Sequence, residues 1–192
     1  MGAMSQKREV YLSVDVETSG PIPGEYSLLT IGACNIYEPD QVFSCELKPL
    51  SSNADPDAMA VTGLSLERLA LEGLAPEIAM QKFQEWVLNV SGADSLPVFV
   101  GLNASFDWSF INYYFHHYLK SNPFGFSALD IKALYMGATG SRWADTRSSR
   151  MAARLHPKLQ ADHQALQDAQ YQAELFRLIR AIPPRQCDSQ FS

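Results

Sequence analysis

The chain of 192 residues suits one α/β domain and is too short for two domains of ordinary size. Hydrophobic residues make up 46% of it and charged residues 19%, a balance that excludes a disordered acidic chain. The 21 acidic and 15 basic residues give a net charge of −6. That charge disfavours nonspecific coating of duplex nucleic acid, which needs Lys and Arg to neutralise phosphates.

Neither a membrane span nor a disulfide framework is indicated by the sequence. No run approaches the ~18 consecutive apolar residues that a spanning helix needs. Cys34, Cys45 and Cys187 are odd in number and far apart, and no Cys-x-x-Cys pair occurs, which disfavours a zinc ribbon as well. We therefore expect a protein of the reducing cytoplasm.

The chain is interpreted as one domain between two short ends. Residues 1–7 resemble a cloning remnant followed by a flexible N-terminus, residues 8–182 form the domain, and residues 183–192 form a short C-terminal tail.

The first third of the domain predicts three β-strands. Apolar and polar residues alternate over residues 10–16, as in a strand with one wholly apolar face. Residues 28–37 and 42–47 predict two more strands, joined by turn chemistry at Glu38-Pro39-Asp40. Residues 51–56 are polar and predict a loop.

The rest of the domain predicts helices alternating with strands. In chain order these are a helix over 77–90, a strand over 97–101, a helix over 106–119, a strand edge over 125–130, a helix over 131–136 and a long helix over 164–182. Strands followed by alternating helices and strands indicate an α/β fold with a central mixed five-stranded sheet flanked by helices.

Asp15 and Glu17 are the first candidate site residues. Side chains two apart on a strand point to the same face, so these carboxylates project side by side. Such a pair either binds a cation or repels at considerable cost. An exposed strand face explains Asp-x-Glu about as well as a metal site does, so other residues must decide.

Asp107 is the second candidate. It lies just after the predicted strand 97–101, in the first turn of a helix, and ligand sites of open α/β sheets form at the carboxyl ends of strands. The alternative is an acid that merely complements the helix dipole.

Asp168 is the third candidate, on an otherwise apolar stripe of the last helix, where an inward carboxylate needs a partner. His163 stands five residues earlier, so the two side chains converge only if His163 lies on the loop before the helix. Asp162 is a plausible cap residue for that helix.

These residues together suggest phosphodiester hydrolysis. Carboxylates are the hard ligands that Mg²⁺ prefers, and two such ions stabilise the attacking and leaving oxygens of an in-line displacement. A neutral histidine is suited to take the proton from an attacking water.

The chain resembles the DnaQ-like 3′→5′ exonucleases of the DEDDh class, which have a ribonuclease-H-like fold. The resemblance covers roughly residues 8–182. Its motifs are Asp15-Val16-Glu17-Thr18, Val61-Thr62-Gly63-Leu64, Asn103-Ala104-Ser105-Phe106-Asp107, and His163 with four residues before Asp168. The second of these resembles the family's loop between the third strand and the first helix.

The resemblance implies a role for each matched position. Asp15, Glu17, Asp107 and Asp168 would hold two divalent cations, Mg²⁺ or Mn²⁺, and His163 would be the general base. Thr18, Ser19 and Leu64 match positions that contact the terminal nucleotide, and Asn103 and Phe106 would shape its pocket. Asp130 matches an acidic position of the family and is interpreted as supporting structure. A homodimer and a polymerase or repair partner are compatible with the family.

A basic segment, residues 142–158, has no counterpart that we can align. Its Arg147, Arg150, Arg154 and Lys158 are spaced 3, 4 and 4, which predicts one helical stripe leading into His163. We expect Arg150 and Arg154 to hold phosphates upstream of the scissile bond. The alternative is a solvated basic face.

The predicted function is thus a metal-dependent 3′→5′ exonuclease that acts on single-stranded DNA or RNA ends. A non-catalytic nucleic-acid or partner-binding module on the same fold is the main alternative, since a fold does not fix a function. An endonuclease of the wider ribonuclease-H-like group fits the spacing of His163 and Asp168 less well.

Overall fold

The structure is a computed structural model that describes residues 7–183, so the predictions for residues 1–6 and 184–192 lie outside it. The strands are β1 (Arg8–Thr18), β2 (Leu28–Asn35), β3 (Val42–Glu46), β4 (Ser95–Gly101) and β5 (Ala128–Asp130). The α-helices are α1 (Pro56–Thr62), α2 (Leu66–Glu72), α3 (Pro76–Ser91), α4 (Ala104–Tyr114), α5 (Ile131–Thr139), α6 (Ser148–Leu155) and α7 (Ala165–Arg180).

The strands form one mixed sheet in the order β3-β2-β1-β4-β5. The first three strands are antiparallel, while β4 pairs parallel to β1 and β5 parallel to β4. The central position of β1 follows from its sequence, because Val10, Leu12, Val14 and Val16 are all buried on one face. The predicted mixed five-stranded sheet is confirmed.

Helices cover both faces of this sheet. The apolar face of β1 packs with residues of α3, α4 and the π-helical turn Phe115–Leu119, including Phe83, Phe110 and Phe115. The opposite face packs with α5, α6 and α7 through residues that include Tyr135, Met151 and Phe176. Asp15 and Glu17 alternate with the apolar residues of β1, so they belong to the face that α7 covers.

Gly32 lets the N-terminus of α7 approach the sheet. It pairs with Asp15 across β1 and β2, and a Cβ atom at this position would lie 2.1 Å from the backbone carbon of Ala165. Any side chain here would push away the first turn of α7. The small residue is therefore what allows Asp168, on that first turn, to lie beside Asp15.

Residues 51–55 form the predicted loop, but two short helices follow it that the sequence did not indicate. Helix α1 begins at Pro56 and is capped by the Asp55 carboxylate, and Gly63 ends it in the left-handed conformation with φ 64°. Val61 and Thr62 thus lie in a helix rather than in a loop. Helices of seven residues bury too little of an apolar face to show a clear 3.6-residue period.

The predicted basic stripe is wrong. Helix α6 ends at Leu155, and His156 adopts the left-handed conformation before Pro157. A residue before proline is disfavoured in the α region, so the helix stops there. Lys158 therefore lies outside the helix that carries Arg150 and Arg154, and the stripe does not continue to His163.

Among residues 7–183, no helix combines the length and the apolar character that crossing a bilayer requires.

Candidate active site

The centre of the site is a cluster of carboxylates at the carboxyl end of β1. One oxygen from each of Asp15, Glu17 and Asp168 lies within 4.8 Å of the others. Asp15 and Glu17 project from β1, and Asp168 comes from the first turn of α7. The structure thus brings Asp15 and Glu17 of the first motif together with Asp168 of the last motif, as the pattern predicted.

Asp107, on α4, is hydrogen-bonded to the backbone of β1. It is buried in the first turn of α4, and its Oδ1 accepts a hydrogen bond of 3.1 Å from the backbone N–H of Val16, between Asp15 and Glu17. Asn103 makes this approach possible because it enters the helix in the left-handed conformation with φ 66°. Asn tolerates that region better than most residues.

His163 lies on the loop before α7, as the geometry of a five-residue separation required. Its backbone has φ 62°, and the helix begins at Ala165 with Gln164 as the N-cap. The Asp168 Oδ1 accepts a 2.9 Å hydrogen bond from the backbone N–H of Asp162. Asp162 is not the N-cap that the sequence suggested, since its carboxylate instead accepts from the backbone N–H of Gln164 in a local turn.

Gln172 is a site residue that sequence reasoning missed. Its Nε2 donates to the Asp15 Oδ1 at 2.6 Å, and its Oε1 accepts from the backbone N–H of Leu102 at 2.9 Å. Because Leu102 fixes the carbonyl side of the amide, the NH₂ group must face Asp15. A glutamine four residues after Asp168, one helical turn on, was the available signal.

Burial and like charge raise the pKa of every acid in the cluster. Desolvation and then the charge of Asp107 raise the pKa of Asp15 well above its usual value, and the Gln172 amide opposes that rise. Desolvation, with the charge of Asp168, raises the pKa of Glu17 to about 7. Desolvation raises the pKa of Asp107 to about 8 despite the Val16 N–H. A cation would relieve the repulsion that these shifts report.

A cleft of about 310 Å³ opens beside the cluster. Glu17, His163 and Leu64 all line it. The cleft therefore brings together a carboxylate of the cluster, the predicted general base and a residue predicted to contact the terminal nucleotide. A smaller groove on the other side of β1 joins Phe106 to Thr18 and Gly20. Leu64 and Phe106 are both half-buried.

The hydroxyl groups of Thr18 and Ser19 are engaged within the protein. Thr18 Oγ1 donates to the carbonyl of Gly20, and Ser19 Oγ donates to the carbonyl of Asn53 while accepting from the Ser27 N–H. Both residues are buried. They hold the turn after β1 in shape, together with the backbone of Ser19, whose N–H donates to the Ser27 carbonyl and whose carbonyl accepts from the Asp55 N–H.

Arg150 and Arg154 lie on α6, which packs on α7 through Met151. Arg150 forms an ion pair with Asp145, and both arginines are exposed. No residue of the carboxylate cluster is among the described ion-pair partners of α6.

Asp130 has the supporting place that its sequence position suggested. Its Oδ1 accepts from the backbone N–H of Ala133 as the N-cap of α5, and its Oδ2 accepts from the backbone N–H of Ala104 at 2.7 Å. One carboxylate therefore fastens the starts of α4 and α5 together, and with them the position of Asp107.

Replacing Gln172 with Leu should weaken metal binding while the fold persists. The change removes the donor that holds the Asp15 carboxylate and leaves the Leu102 N–H unpaired. Such supporting contacts are worth about 10–100-fold in metal affinity or activity. Titrating activity against Mn²⁺ should show a half-saturating concentration raised by that factor. Gln170→Leu, half-buried on the same helix, is the matched control, and equal titrations for both variants would contradict the prediction.

The metal-free protein should lose stability as pH rises. Glu17 and Asp107 titrate near 7 and 8 when folded and near 4 when unfolded, so the folded state holds more protons between those values. The free energy of unfolding then falls with each step up in pH. In EDTA, we expect a Tm lower at about pH 9 than at about pH 6.

Two comparisons test whether the Tm of the metal-free protein falls as pH rises for the stated reason. Glu17→Gln should flatten the pH dependence, because the amide does not titrate in this range. With Mn²⁺ the Tm should instead be higher at about pH 9 than at about pH 6, because the cation competes with protons for the carboxylates. A Tm in EDTA that stays level or rises with pH would refute the assignment.

Similarity to known proteins covers nearly the whole chain. Residues 12–176 match the profile of the family described as Exonuclease (RNase_T). The 3'-5' DNA exonuclease Cap18 of Escherichia coli is 59% identical over 176 residues, which are 92% of this chain and 94% of that protein.

Solved structures with the same fold are also nucleases. The nuclease domain of 3'hExo, described as a DEDDh family member bound to rAMP, aligns with a TM-score of 0.72 at 13% identity, over 92% of this chain and 94% of that one. The zinc-bound complex of E. coli ExoI with single-stranded DNA aligns with a TM-score of 0.66 at 16% identity, over 91% of this chain and 41% of that one. At such identities the likeness shows the fold alone.

Proposed function

Because this chain belongs to the DnaQ-like (DEDDh) exonucleases of the ribonuclease-H-like superfamily and is a 3′→5′ exonuclease, we propose that it shortens single-stranded DNA or RNA from the 3′ end and releases nucleoside 5′-monophosphates. The observation that carries this proposal is the carboxylate cluster of Asp15, Glu17 and Asp168. Asp107 is hydrogen-bonded to the backbone between Asp15 and Glu17, and His163 lines the same cleft as Glu17.

The donor set fits divalent metal ions. Carboxylates concentrated at one point, with pKa values raised by burial and mutual repulsion, are the hard ligands that Mg²⁺ and Mn²⁺ select. Asp15, Glu17, Asp107 and Asp168 would hold two such ions. When bound, the ions supply charge that stabilises the transition state of an in-line phosphoryl displacement.

His163 is the proposed general base. It lies at the mouth of the cleft, exposed to the water that must attack, on a loop that Asp168 fastens through the Asp162 N–H. A neutral imidazole accepts the water proton as the new P–O bond forms, and the leaving 3′ oxygen departs with the upstream strand.

The terminal nucleotide is proposed to bind between Leu64 and Phe106. The two half-buried side chains lie on opposite sides of the β1 end and offer apolar surface to a base. Thr18 and Ser19 would shape the wall of this pocket, because their hydroxyls are engaged within the protein, and Asn103 would border the pocket from the start of α4.

Arg150 and Arg154 are proposed to hold phosphates upstream of the scissile bond. Replacing both with Gln should raise KM about threefold to tenfold at low salt and reduce the slope of log KM against log salt by up to about one unit for each lost contact. Exonuclease assays at several salt concentrations measure this. Arg180→Gln, exposed on α7, is the charge-matched control, and an unchanged KM and salt slope would remove the proposed contact.

A single digestion tests the overall proposal. Single-stranded DNA and RNA of one sequence, labelled at the 5′ end, are incubated with Mg²⁺, Mn²⁺ or EDTA. We expect a ladder that shortens from the 3′ end and is abolished by EDTA, and the faster substrate identifies the preferred sugar. Intact oligonucleotides with every metal would overturn the proposal.

The cytoplasm is the proposed location, supported by the free thiols of Cys34 and Cys45. Self-association and a polymerase or repair partner stay predictions of the family resemblance. Light scattering of the purified protein tests the first, and co-purification with a polymerase tests the second.

A further inference from the structure

An aromatic groove lies next to the motif of residues 103–107 and is not used by the carboxylate cluster described above. Its lining includes Asn103 and Ser105 at the start of α4, together with Phe126 and Trp143. Its volume is about 380 Å³, within the range of ligand-binding pockets. The groove therefore begins at the residues that bring Asp107 to β1.

The two aromatic side chains are unusually accessible. Phe126 is 91% exposed and Trp143 is 54% exposed. The Phe126 ring lies nearly parallel to that of His116, at 11° and with centroids 6.3 Å apart, so it is supported from one side. Large apolar side chains this exposed usually mark an interaction site when they share one concave surface.

The charge around the groove favours an anionic ligand with flat apolar parts. The Lys132 ammonium lies 4.4 Å from the centroid of the Trp143 ring, so a cation stands against the aromatic wall. The one carboxylate in the lining, that of Asp130, is already bonded to the N–H groups of Ala133 and Ala104. Unpaired nucleotides combine phosphates with stackable bases and match this surface.

We propose that Phe126 and Trp143 form a stacking site for the bases of the second and third nucleotides from the 3′ end. The inference rests on the proposed action on single-stranded ends, and it adds where the strand runs after it leaves the cluster. The groove lies next to the element that carries Asp107, because its lining residues Ala104 and Ser105 belong to the first turn of α4, as Asp107 does. Aromatic stacking accepts every base, so this site provides affinity without sequence preference.

The test compares a long substrate with a minimal one. Phe126→Ala and Trp143→Ala should each lower kcat/KM on a dT oligomer of about ten nucleotides by about 5- to 100-fold, mainly through KM. Hydrolysis of the p-nitrophenyl ester of thymidine 5′-monophosphate, which lacks upstream nucleotides, should not change. Trp143→Phe should recover most of the loss, and Tyr37→Ala, an exposed aromatic two residues after the end of β2, should behave like the wild type.

An oligomer with abasic sites at the second and third positions gives a second, independent readout. On this substrate the kcat/KM of the wild type should fall by the same factor as the kcat/KM of the alanine variants falls on the intact strand. The kcat/KM of the variants should fall little further. If the wild type leaves the ester intact, this series decides alone.

Three outcomes would overturn the inference. In the first, the variants keep the wild-type kcat/KM on the oligomer. In the second, the variants lose equal activity on the oligomer and on the ester. In the third, the abasic sites lower kcat/KM of the variants as much as they lower that of the wild type. The first would assign the groove to another ligand, such as a protein. Failure of the wild type on every substrate is a different result, because it contradicts the proposed function instead.

Discussion

Replacing Asp15 with Asn should abolish nuclease activity and at the same time raise the Tm of the metal-free protein. Asp15 lies where the charges of Asp107, Glu17 and Asp168 meet, and burial adds to their repulsion. The asparagine carbonyl can still accept from the Gln172 amide, so the shape of the site is preserved while one charge is removed. We expect activity to fall at least about 10³-fold, because the change removes charge that a metal-dependent transition state requires.

Stability should rise while activity falls, because the charges that would bind metal destabilise the fold when no metal is bound. Removing a carboxylate relieves repulsion among buried acids, and each kcal/mol gained is worth about 2–4 °C in Tm for a domain of this size. Thermal unfolding in EDTA and in Mn²⁺ measures both parts. The wild type should gain stability with millimolar metal by mass action, and the variant should gain much less.

Asp40→Asn is the control for this pair of measurements. Asp40 is exposed in the turn between β2 and β3, away from the cluster. Its variant should keep wild-type activity, Tm and metal response. An Asp15→Asn protein that stays active, or that is less stable than the wild type in EDTA, would show that the cluster is not a strained metal site.

Replacing His163 with Asn should lower kcat by about 10²–10⁴-fold while metal binding and KM change little. The factor is that of general base catalysis, and the loss falls on kcat because the imidazole acts only as the water attacks. Asn is preferred to Ala as the replacement, since the backbone at this position has φ 62° and Asn tolerates that conformation. The variant thereby separates loss of the base from distortion of the loop.

A second histidine is the control for this variant. His117→Asn, exposed in the π-helical turn after α4, should keep the wild-type rate. An activity of His163→Asn within a few-fold of the wild type would remove the proposed role.

The carboxylates could be predicted from sequence because their spacing is tied to local geometry. Asp15 and Glu17 are two apart on a strand, which fixes a common face, and Asp107 follows a buried strand that ends at the same edge of the sheet. His163 and Asp168 required one further argument, that a separation of five residues on a helix points the two side chains apart. The structure agrees, since α7 begins only at Ala165.

The contacts that hold these residues could not be predicted, because they join distant parts of the chain. Gln172 reaches Asp15 over 157 positions, and Asp107 reaches the Val16 N–H over 91. The local signal for Gln172, its place one helical turn after Asp168, is weak because α7 carries other glutamines as well. The predicted basic stripe failed for a local reason instead, because its 3-4-4 spacing satisfied helical periodicity while Pro157 ended the helix.

The sequence by itself determined the mixed α/β sheet, the central place of β1 and which acids and which histidine are candidates for the site, since each depends on strand alternation, helical spacing or turn chemistry. Only the tertiary structure decided how those groups are held. It brought α7 against Gly32, turned the Gln172 amide toward Asp15, and opened the groove between α4 and Trp143. These features depend on close packing between segments far apart in sequence, and the energy of a packed contact is a property of the pair rather than of either segment.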